Sequence, residues 1–206
     1  MISHSKNKRE ASEDRRSAII AATLKCISTE GNDGLSVRKI SKEAGISISL
    51  ITYYYSTMEQ LVAQAYEALH ASLFDFLRGA VKEAGDDPRK QLSALIRAMF
   101  AQPILDPGTL KCWIVFWGMI DNSTKLREMH DISYGEYRSF VENILAKLAD
   151  DRRMPFLDTR LSAISLLAIF DGLWIEWCLN QDTFTVDEAV RMCDAWVDTL
   201  IFRKPS

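Results

Sequence analysis

The sequence predicts an all-α fold, and three observations support this prediction. Apolar residues recur at intervals of three and four along most of the 206 residues, as on the buried face of a helix, and no stretch shows the sustained alternation of a strand. Nine Gly and five Pro are too few for a turn-rich sandwich or barrel. With 48% hydrophobic and 26% charged residues, the composition is that of a globular protein that can bury a core.

The first predicted helix covers about residues 12–29. Ser12 is a favourable N-cap, and Glu13 and Asp14 place negative charge at the positive end of the helix dipole. An apolar stripe follows, and Gly31 ends the pattern.

Residues 36–55 predict two short helices that cross at a tight turn. Gly45 permits the left-handed conformation of the turn, and Ser47 is a good N-cap for the second helix. Ala44 is small where the helices approach each other, and Ile40, Ile46 and Ile51 close a small core. This is a helix-turn-helix pattern. The alternative is a strand, because the second half of the segment has high β propensity.

The rest of the chain predicts a long helix followed by five more. Thr57 and Gln60 have the spacing of a capping box, so the long helix should begin there and run towards Gly85-Asp-Asp-Pro88. Pro, Gly, Asn and Asp then separate predicted helices at about 88–101, 108–120, 123–150, 158–180 and 186–202. We therefore expect an N-terminal helix-turn-helix domain at 1–56 and a C-terminal helical domain at 57–206.

Charge is distributed unevenly along the chain. Residues 1–55 contain nine Lys/Arg and six Asp/Glu, a net charge of +3, whereas the remaining residues contain sixteen and twenty-two, a net charge of −6. A cationic front on an anionic body indicates that only the front contacts a polyanion. The alternative is a basic tail that is merely solvated.

Several functional classes lack their sequence signals. The chain has no P-loop, no dinucleotide-binding glycine pattern and no Gly-x-Ser-x-Gly motif, which disfavours an enzyme. A small helical enzyme and a DNA-independent interaction module remain as alternatives to a protein that binds a polyanion. No metal or cofactor is expected, because the histidines lack metal-ligand spacing and the four cysteines lack a Cys-x-x-Cys pair. We expect no membrane span, because the longest apolar stretches are too short or too interrupted by polar residues for a span of about 20 residues. Without an export signal, we expect a cytoplasmic protein with reduced, buried thiols.

The segment from Gly45 to Leu61, Gly-Ile-Ser-Ile-Ser-Leu-Ile-Thr-Tyr-Tyr-Tyr-Ser-Thr-Met-Glu-Gln-Leu, resembles the recognition-helix signature of the TetR family of bacterial repressors. The preceding helix lies at the distance that this family shows. The resemblance implies a dimeric repressor that binds double-stranded DNA at a palindromic operator and is released by a small effector. Two residues depart from the family pattern: Met58 stands where a phosphate-contacting Lys is frequent, and Ser49 stands where Gly is frequent.

The geometry of a helix-turn-helix assigns roles to individual residues. The second helix should enter the major groove with Ile51 and Tyr55 facing the core, and its outward base readers should be Ile48, Ser49, Thr52 and Tyr53. Tyr54, Ser36 and Arg38 should contact phosphates, as should a basic N-terminal arm that includes Lys6. The candidate DNA-binding residues are Lys8, Arg9, Ser36, Arg38, Ser47, Ile48, Ser49, Thr52, Tyr53 and Tyr54. A disordered, solubilising tail is the alternative for the arm.

All five tryptophans lie in the second half of the chain, in two ridges that could face one cavity between the 108–120 and 158–180 helices. Aromatic faces with a carboxylate suit a quaternary ammonium ligand. The segment Phe170-Asp-Gly-Leu-Trp-Ile-Glu-Trp177 also resembles the BetI-type branch of the family, whose named members respond to choline. Candidate ligand residues are Phe74, Trp113, Phe116, Trp117, Phe170, Asp171, Trp174 and Trp177. Core packing, an aspartate paired with an arginine, and a different hydrophobic or aromatic ligand are the alternatives.

The last two predicted helices are apolar on more than one side. One monomer cannot cover all of these faces, so we expect a two-fold, four-helix interface in a homodimer, the arrangement that the family resemblance also implies. The candidate interface residues are Leu161, Ile164, Leu167, Val197 and Leu200.

Overall fold

The computed structural model describes the backbone of residues 2–202 and the side chains of residues 12–201. Within that range the chain forms nine α-helices and no strand, which confirms the predicted fold class. The helices are α1 (Ile2–Glu30), α2 (Val37–Ala44), α3 (Ile48–Tyr54), α4 (Met58–Glu83), α5 (Pro88–Met99), α6 (Pro107–Met119), α7 (Thr124–Asp151), α8 (Thr159–Leu179) and α9 (Val186–Phe202).

Most predicted boundaries agree with the structure to within two residues, because the capping residues act as expected. Thr57 Oγ1 accepts from the Gln60 amide at 3.1 Å, and the Gln60 side chain returns a bond to the Ser56 amide at 3.2 Å. The start of α1 was predicted wrongly: the helix begins at Ile2, not near Ser12. Residues 3–11 are mostly good helix formers without Gly or Pro, so a helix start at Ser12 is not obligatory.

The chain packs into two compact units, which we describe separately. The first unit comprises 1–71 and 107–131, and the second comprises 72–106 and 132–206. These two units are defined by how closely their residues pack. The predicted domains at 1–56 and 57–206 divide the chain by function instead, and they stay a prediction.

The first unit contains the core of the helix-turn-helix. Ile19 and Cys26 of α1, Ile40 of α2, and Ile51 of α3 are buried in one cluster. A close approach of the backbone also holds α1 to the turn that follows it, since a Cβ at Gly34 would lie 2.2 Å from the Cys26 carbonyl oxygen.

The second unit is built around α5, α7, α8 and α9. Its fully buried side chains include Leu92, Leu95, Ile96, Leu145, Leu148, Leu166, Phe170, Cys193 and Val197. Arg89 links α5 to α9 at the edge of this core, because its guanidinium donates to Asp194 at 2.8 Å and to Asp198 at 2.8 Å. A planar guanidinium that reaches two carboxylates fixes the register of the two helices.

Two expectations about the last helices need correction. Leu167 and Val197 are fully buried inside the chain, so neither lies on an exposed interface, whereas Leu161 is exposed and Ile164 and Leu200 are half-buried. By length and composition, α8 is also apolar enough to cross a membrane, because its aliphatic and aromatic residues outweigh the interrupting polar ones. Leu166, Phe170 and Trp174 of α8 are buried in the second unit, as in the core helix of a globular protein.

Candidate functional site

The turn between α2 and α3 has the predicted conformation. Gly45 ends α2 in the left-handed region, with φ of 64°, and its amide donates to the Lys42 carbonyl at 3.4 Å. The Ser41 hydroxyl donates to the Ile46 carbonyl at 2.6 Å, and Ser47 caps α3 by accepting from the Leu50 amide at 3.3 Å. The strand alternative for this segment is therefore wrong. The turn is fixed by local hydrogen bonds on both sides of Gly45.

One face of α3 is exposed, and it carries the predicted base readers. The side chains of Ile48, Ser49, Thr52 and Tyr53 are all exposed, and Tyr53 has 79% of its surface accessible. On the opposite face Ile51 is buried, and Tyr55 at the end of the helix is buried as well, as predicted. A short helix with one buried and one exposed face is the geometry that a helix needs to enter a DNA groove.

The neighbouring helix α2, which packs against α3, carries exposed cations and a hydroxyl group. Arg38 and Lys42 are exposed, and the side chain of neither makes an ion pair or hydrogen bond with the described part of the chain. Lys39 differs, because it pairs with Glu30 and donates to the Asp33 carbonyl at 2.9 Å, and the bond to Glu30 raises its pKa. Ser36 occupies the N-cap of α2 without a capping bond from its side chain. Arg38, Lys42 and Ser36 are therefore available to an anion.

Tyr54 has a different environment from the one predicted. Its ring is buried in the core of the helix-turn-helix and lies 5.3 Å from the Tyr53 ring in a T-shaped arrangement. Hydrogen bonding to Ser12 and, more weakly, to Arg15 lowers the pKa of its hydroxyl. The hydroxyl is thus directed at α1, and its contact with a phosphate stays a prediction.

Sequence reasoning missed two arginines beside α3. The Arg16 guanidinium lies over the Tyr54 ring at 5.2 Å, and Arg15 hydrogen-bonds the Tyr54 hydroxyl. Both arginines lie about one helical turn before the apolar stripe of α1, and this position in the sequence could have indicated that they lie near the helix-turn-helix core. Lys6, Lys8 and Arg9, predicted as a basic arm, lie outside the residues whose side chains are described.

The first tryptophan ridge is packed within the first unit. The Tyr66 ring makes T-shaped contacts with Trp113 at 5.2 Å and Phe116 at 5.4 Å, and its hydroxyl lies 3.0 Å from His130 Nδ1. Phe116 and Trp113 are buried, and Trp117 is half-buried. Among the described residues, the buried Trp113 Nε1 has no hydrogen-bond partner. Such an orphaned donor is costly unless an acceptor reaches it.

The second ridge belongs to the core of the second unit. Phe170 is fully buried with its ring 5.9 Å from Phe100, and Trp174 is buried with its Nε1 donating to the Met99 carbonyl at 3.1 Å. Phe74 is buried beside Tyr137 and Phe140. Trp177 is only half-buried. Phe170 and Trp174 therefore have structural roles in this unit, and a role in ligand binding stays a prediction for all of these aromatic residues.

Asp171 is an acidic residue of the second unit whose carboxyl group is largely removed from solvent. Burial raises the pKa of its carboxyl to about 6. Among the residues whose side chains the structure describes, Asp171 has no arginine partner and makes neither an ion pair nor a hydrogen bond. Tyr134 and Tyr137 of α7 are close enough for the carboxylate to contribute to raising their pKa values, after burial. Sequence analysis missed both tyrosines.

An exposed stripe runs along α8 on the side away from its buried residues. Its members recur at intervals of three and four, with small residues in the middle and large apolar ones at the ends: Leu161, Ser165, Ala168, Gly172, Ile175 and Leu179. We refer to these six residues as the α8 stripe. Small residues at the centre allow another helix to approach closely.

Comparison with known proteins identifies the family. Residues 88–201, more than half of the chain, match the family described as BetI-type transcriptional repressor, C-terminal, and residues 19–65 match the bacterial regulatory proteins of the tetR family. The chain belongs to the TetR family. Its first part is the helix-turn-helix module of TetR-family regulators, and its second part is of the BetI type. The expectation of a transcriptional regulator rather than an enzyme is confirmed.

Individual relatives agree with this assignment. The HTH-type transcriptional regulator BetI of Pseudomonas fluorescens is 27% identical over 185 residues, which cover 89% of this chain and 91% of that protein. A solved structure of a transcriptional regulator from Pseudomonas aeruginosa PAO1 is 43% identical, covers 92% of this chain and 91% of its own, and has a TM-score of 0.85. A regulator from Saccharomonospora viridis, solved in complex with choline, is 18% identical, and the match covers 90% of this chain and 96% of that one. Its TM-score of 0.79 shows that the two proteins share a fold.

Proposed function

We propose that this TetR-family repressor acts in the cytoplasm as a homodimer, binds a palindromic operator through α3, and is released by a small organic cation. Regulators of this family bind DNA and small effectors, typically as dimers. The observation that carries the DNA-binding part is the exposed face of α3, together with the unpaired side chains of Arg38 and Lys42 on α2, the helix that packs against it.

Electrostatics support an operator on this face. The net charge of residues 1–55 is +3 because nine Lys/Arg outnumber six Asp/Glu, and the rest of the chain is acidic. Phosphate contacts by such a surface release counterions, so affinity should fall steeply with salt. We expect a loss of about 10³-fold between about 50 and 200 mM salt if the dimer neutralises six or more phosphates.

A variant of Arg38 tests this assignment. Arg38→Ala should weaken binding to the selected operator and to random DNA alike, and should reduce the salt dependence, because a phosphate contact carries no sequence information. Arg97→Ala, at an exposed arginine of α5, is the matched control and should leave binding unchanged. Fluorescence anisotropy with labelled duplexes measures both. If both variants changed the affinity for DNA equally, the assignment of Arg38 as a phosphate contact would be wrong.

The cationic effector is supported by Asp171. An unpaired carboxylate that is largely buried is costly, and a bound cation removes that cost by supplying the missing charge. The Tyr137 ring of the same unit lies close enough to Asp171 for the carboxylate to contribute to its raised pKa, after burial, and an aromatic face attracts a cation without hydrogen-bond donors. The choline complex of the Saccharomonospora viridis regulator supports the same ligand class.

Calorimetry at two pH values separates a cationic effector from a neutral one. Since the pKa of Asp171 is about 6, the carboxylate is mostly protonated at pH 5, and the affinity for choline should rise about tenfold from pH 5 to pH 7. The uncharged isostere of choline, in which carbon replaces nitrogen, is the control and should bind weakly at both pH values. Equal affinity for both compounds would favour a hydrophobic effector instead.

A further inference from the structure

We infer that the protein reads its operator mainly through thymine methyl groups, using the side chain of Ile48 and the methyl group of Thr52. This inference rests on the proposed binding of DNA by α3 and specifies the chemistry of recognition at that surface.

The composition of α3 excludes the usual hydrogen-bonding readers. From Ile48 to Tyr54 the helix reads Ile-Ser-Leu-Ile-Thr-Tyr-Tyr, without a charged or amide side chain. Guanine is most often read by Arg or Lys, adenine by Asn or Gln, and cytosine by Asp or Glu. Each of these needs a side chain that the exposed face of α3 does not have.

The two small hydroxyl groups on this face are already engaged within the helix. Thr52 Oγ1 donates its one proton to the carbonyls of Ile48 at 3.2 Å and Ser49 at 3.1 Å. Ser49 Oγ lies 3.0 Å from Ser47 Oγ, the atom that caps the helix. Thr52 therefore presents an acceptor and a methyl group rather than a donor.

The apolar groups remain for base contacts. Ile48 lies in the first turn of α3 with 41% of its surface exposed, and Thr52 follows one turn later on the same face. The residues at the start of a recognition helix are those that reach base edges, and the apolar feature of the major groove is the C5-methyl of thymine. Tyr53 adds a phenol at the end of this face, where it can bind either a phosphate or a base.

Replacement of thymine by deoxyuridine removes the methyl group alone and tests the inference directly. The preferred operator is first selected from a random-sequence duplex library with the wild-type dimer. Each thymine is then replaced in turn, and we expect about a fourfold loss of affinity at each contacted position, the value of one buried carbon. Thymines outside the selected positions are the internal control.

Two variants of Thr52 separate its methyl group from its hydroxyl. Thr52→Val keeps the methyl group and should retain the sensitivity to deoxyuridine. Thr52→Ser keeps the hydroxyl and should bind the thymine operator about fourfold more weakly, with sensitivity lost at one position. Ile48→Ala should lose sensitivity at a different position. Both residues replaced are exposed, so circular dichroism should show an unchanged fold in all three variants.

Three results would overturn the inference alone. Deoxyuridine could be neutral at every selected position, or Thr52→Val could relax the sequence preference while Thr52→Ser keeps it, in which case the hydroxyl is the reader. A selected operator without thymine at the contacted positions would also overturn it, and in each case DNA binding itself would stand. A library that yields no preferred sequence would overturn both this inference and the proposed sequence-specific repressor.

Discussion

At the scale of single residues, the protonation of Asp171 is expected to change the stability of the protein below neutral pH. Its pKa rises from the ordinary value of 3.8 to about 6 because it is buried. The folded chain therefore binds this proton more tightly than the unfolded chain. The stability that results is fully present below pH 3.8 and is lost as the pH rises through about 6.

Asp171→Asn should therefore stabilise the ligand-free protein at neutral pH, because the amide stays uncharged. We expect the free energy of unfolding to rise by up to about 3 kcal/mol at pH 7 and to be nearly unchanged at pH 4. Urea denaturation at a fixed protomer concentration measures it. Asp150→Asn, at an exposed aspartate of α7, is the control. If both variants followed the wild-type pH profile, the carboxylate of Asp171 would not be desolvated.

Single residues also show which local environments could be predicted from the sequence. The left-handed Gly45 and the cap at Ser47 were predictable because turn chemistry depends on neighbours in sequence. The environments of Tyr54 and Trp174 were not, because each is fixed by a partner remote in the chain, Ser12 for one and the Met99 carbonyl for the other. The orphaned Trp113 Nε1 gives no signal in sequence at all.

At the scale of elements, helix ends were predicted better than helix faces. The stops and starts before α5, α6 and α8 contain Pro or a capping Asp, and these act locally. The inward faces of α8 and α9 could not be assigned because both helices are apolar on more than one side. Leu167 and Val197 were consequently placed at an interface although they are buried. Tertiary packing, not periodicity, decides between two apolar stripes.

Two glycines give opposite predictions for the same substitution. Gly34→Ala should destabilise the first unit by about 1–3 kcal/mol, because its Cβ would lie 2.2 Å from the Cys26 carbonyl and the backbone must shift. Gly79→Ala, inside α4 with nothing within 4 Å, should stabilise by about 1 kcal/mol through helix propensity. Urea denaturation of both variants measures the signs. A neutral Gly34→Ala would mean that α1 and its turn are not held in close contact.

At the scale of the whole molecule, the proposed dimer explains the face of α8 that the monomer leaves exposed. The α8 stripe includes Ile175 and Leu179, with 42% and 76% of their surfaces accessible, on a helix otherwise apolar enough for a protein interior. Pairing with a second copy would cover the stripe, and a two-fold axis makes the same surface serve both partners. Such symmetry also implies two reading helices about one turn of DNA apart, roughly 34 Å.

A charge in the α8 stripe should therefore disrupt assembly and operator binding together. Ile175→Glu would bury an unpaired carboxylate at the two-fold interface, so we expect monomers in light scattering at micromolar concentration. Binding to the full operator should weaken by about 10²-fold or more, because two half-sites are no longer engaged at once. Ile132→Glu, which places the same charge on an exposed isoleucine of α7, should leave both properties intact. A dimer of normal affinity with Ile175→Glu would show that the interface excludes this stripe, and the two-fold model of the operator would then need a different contact surface.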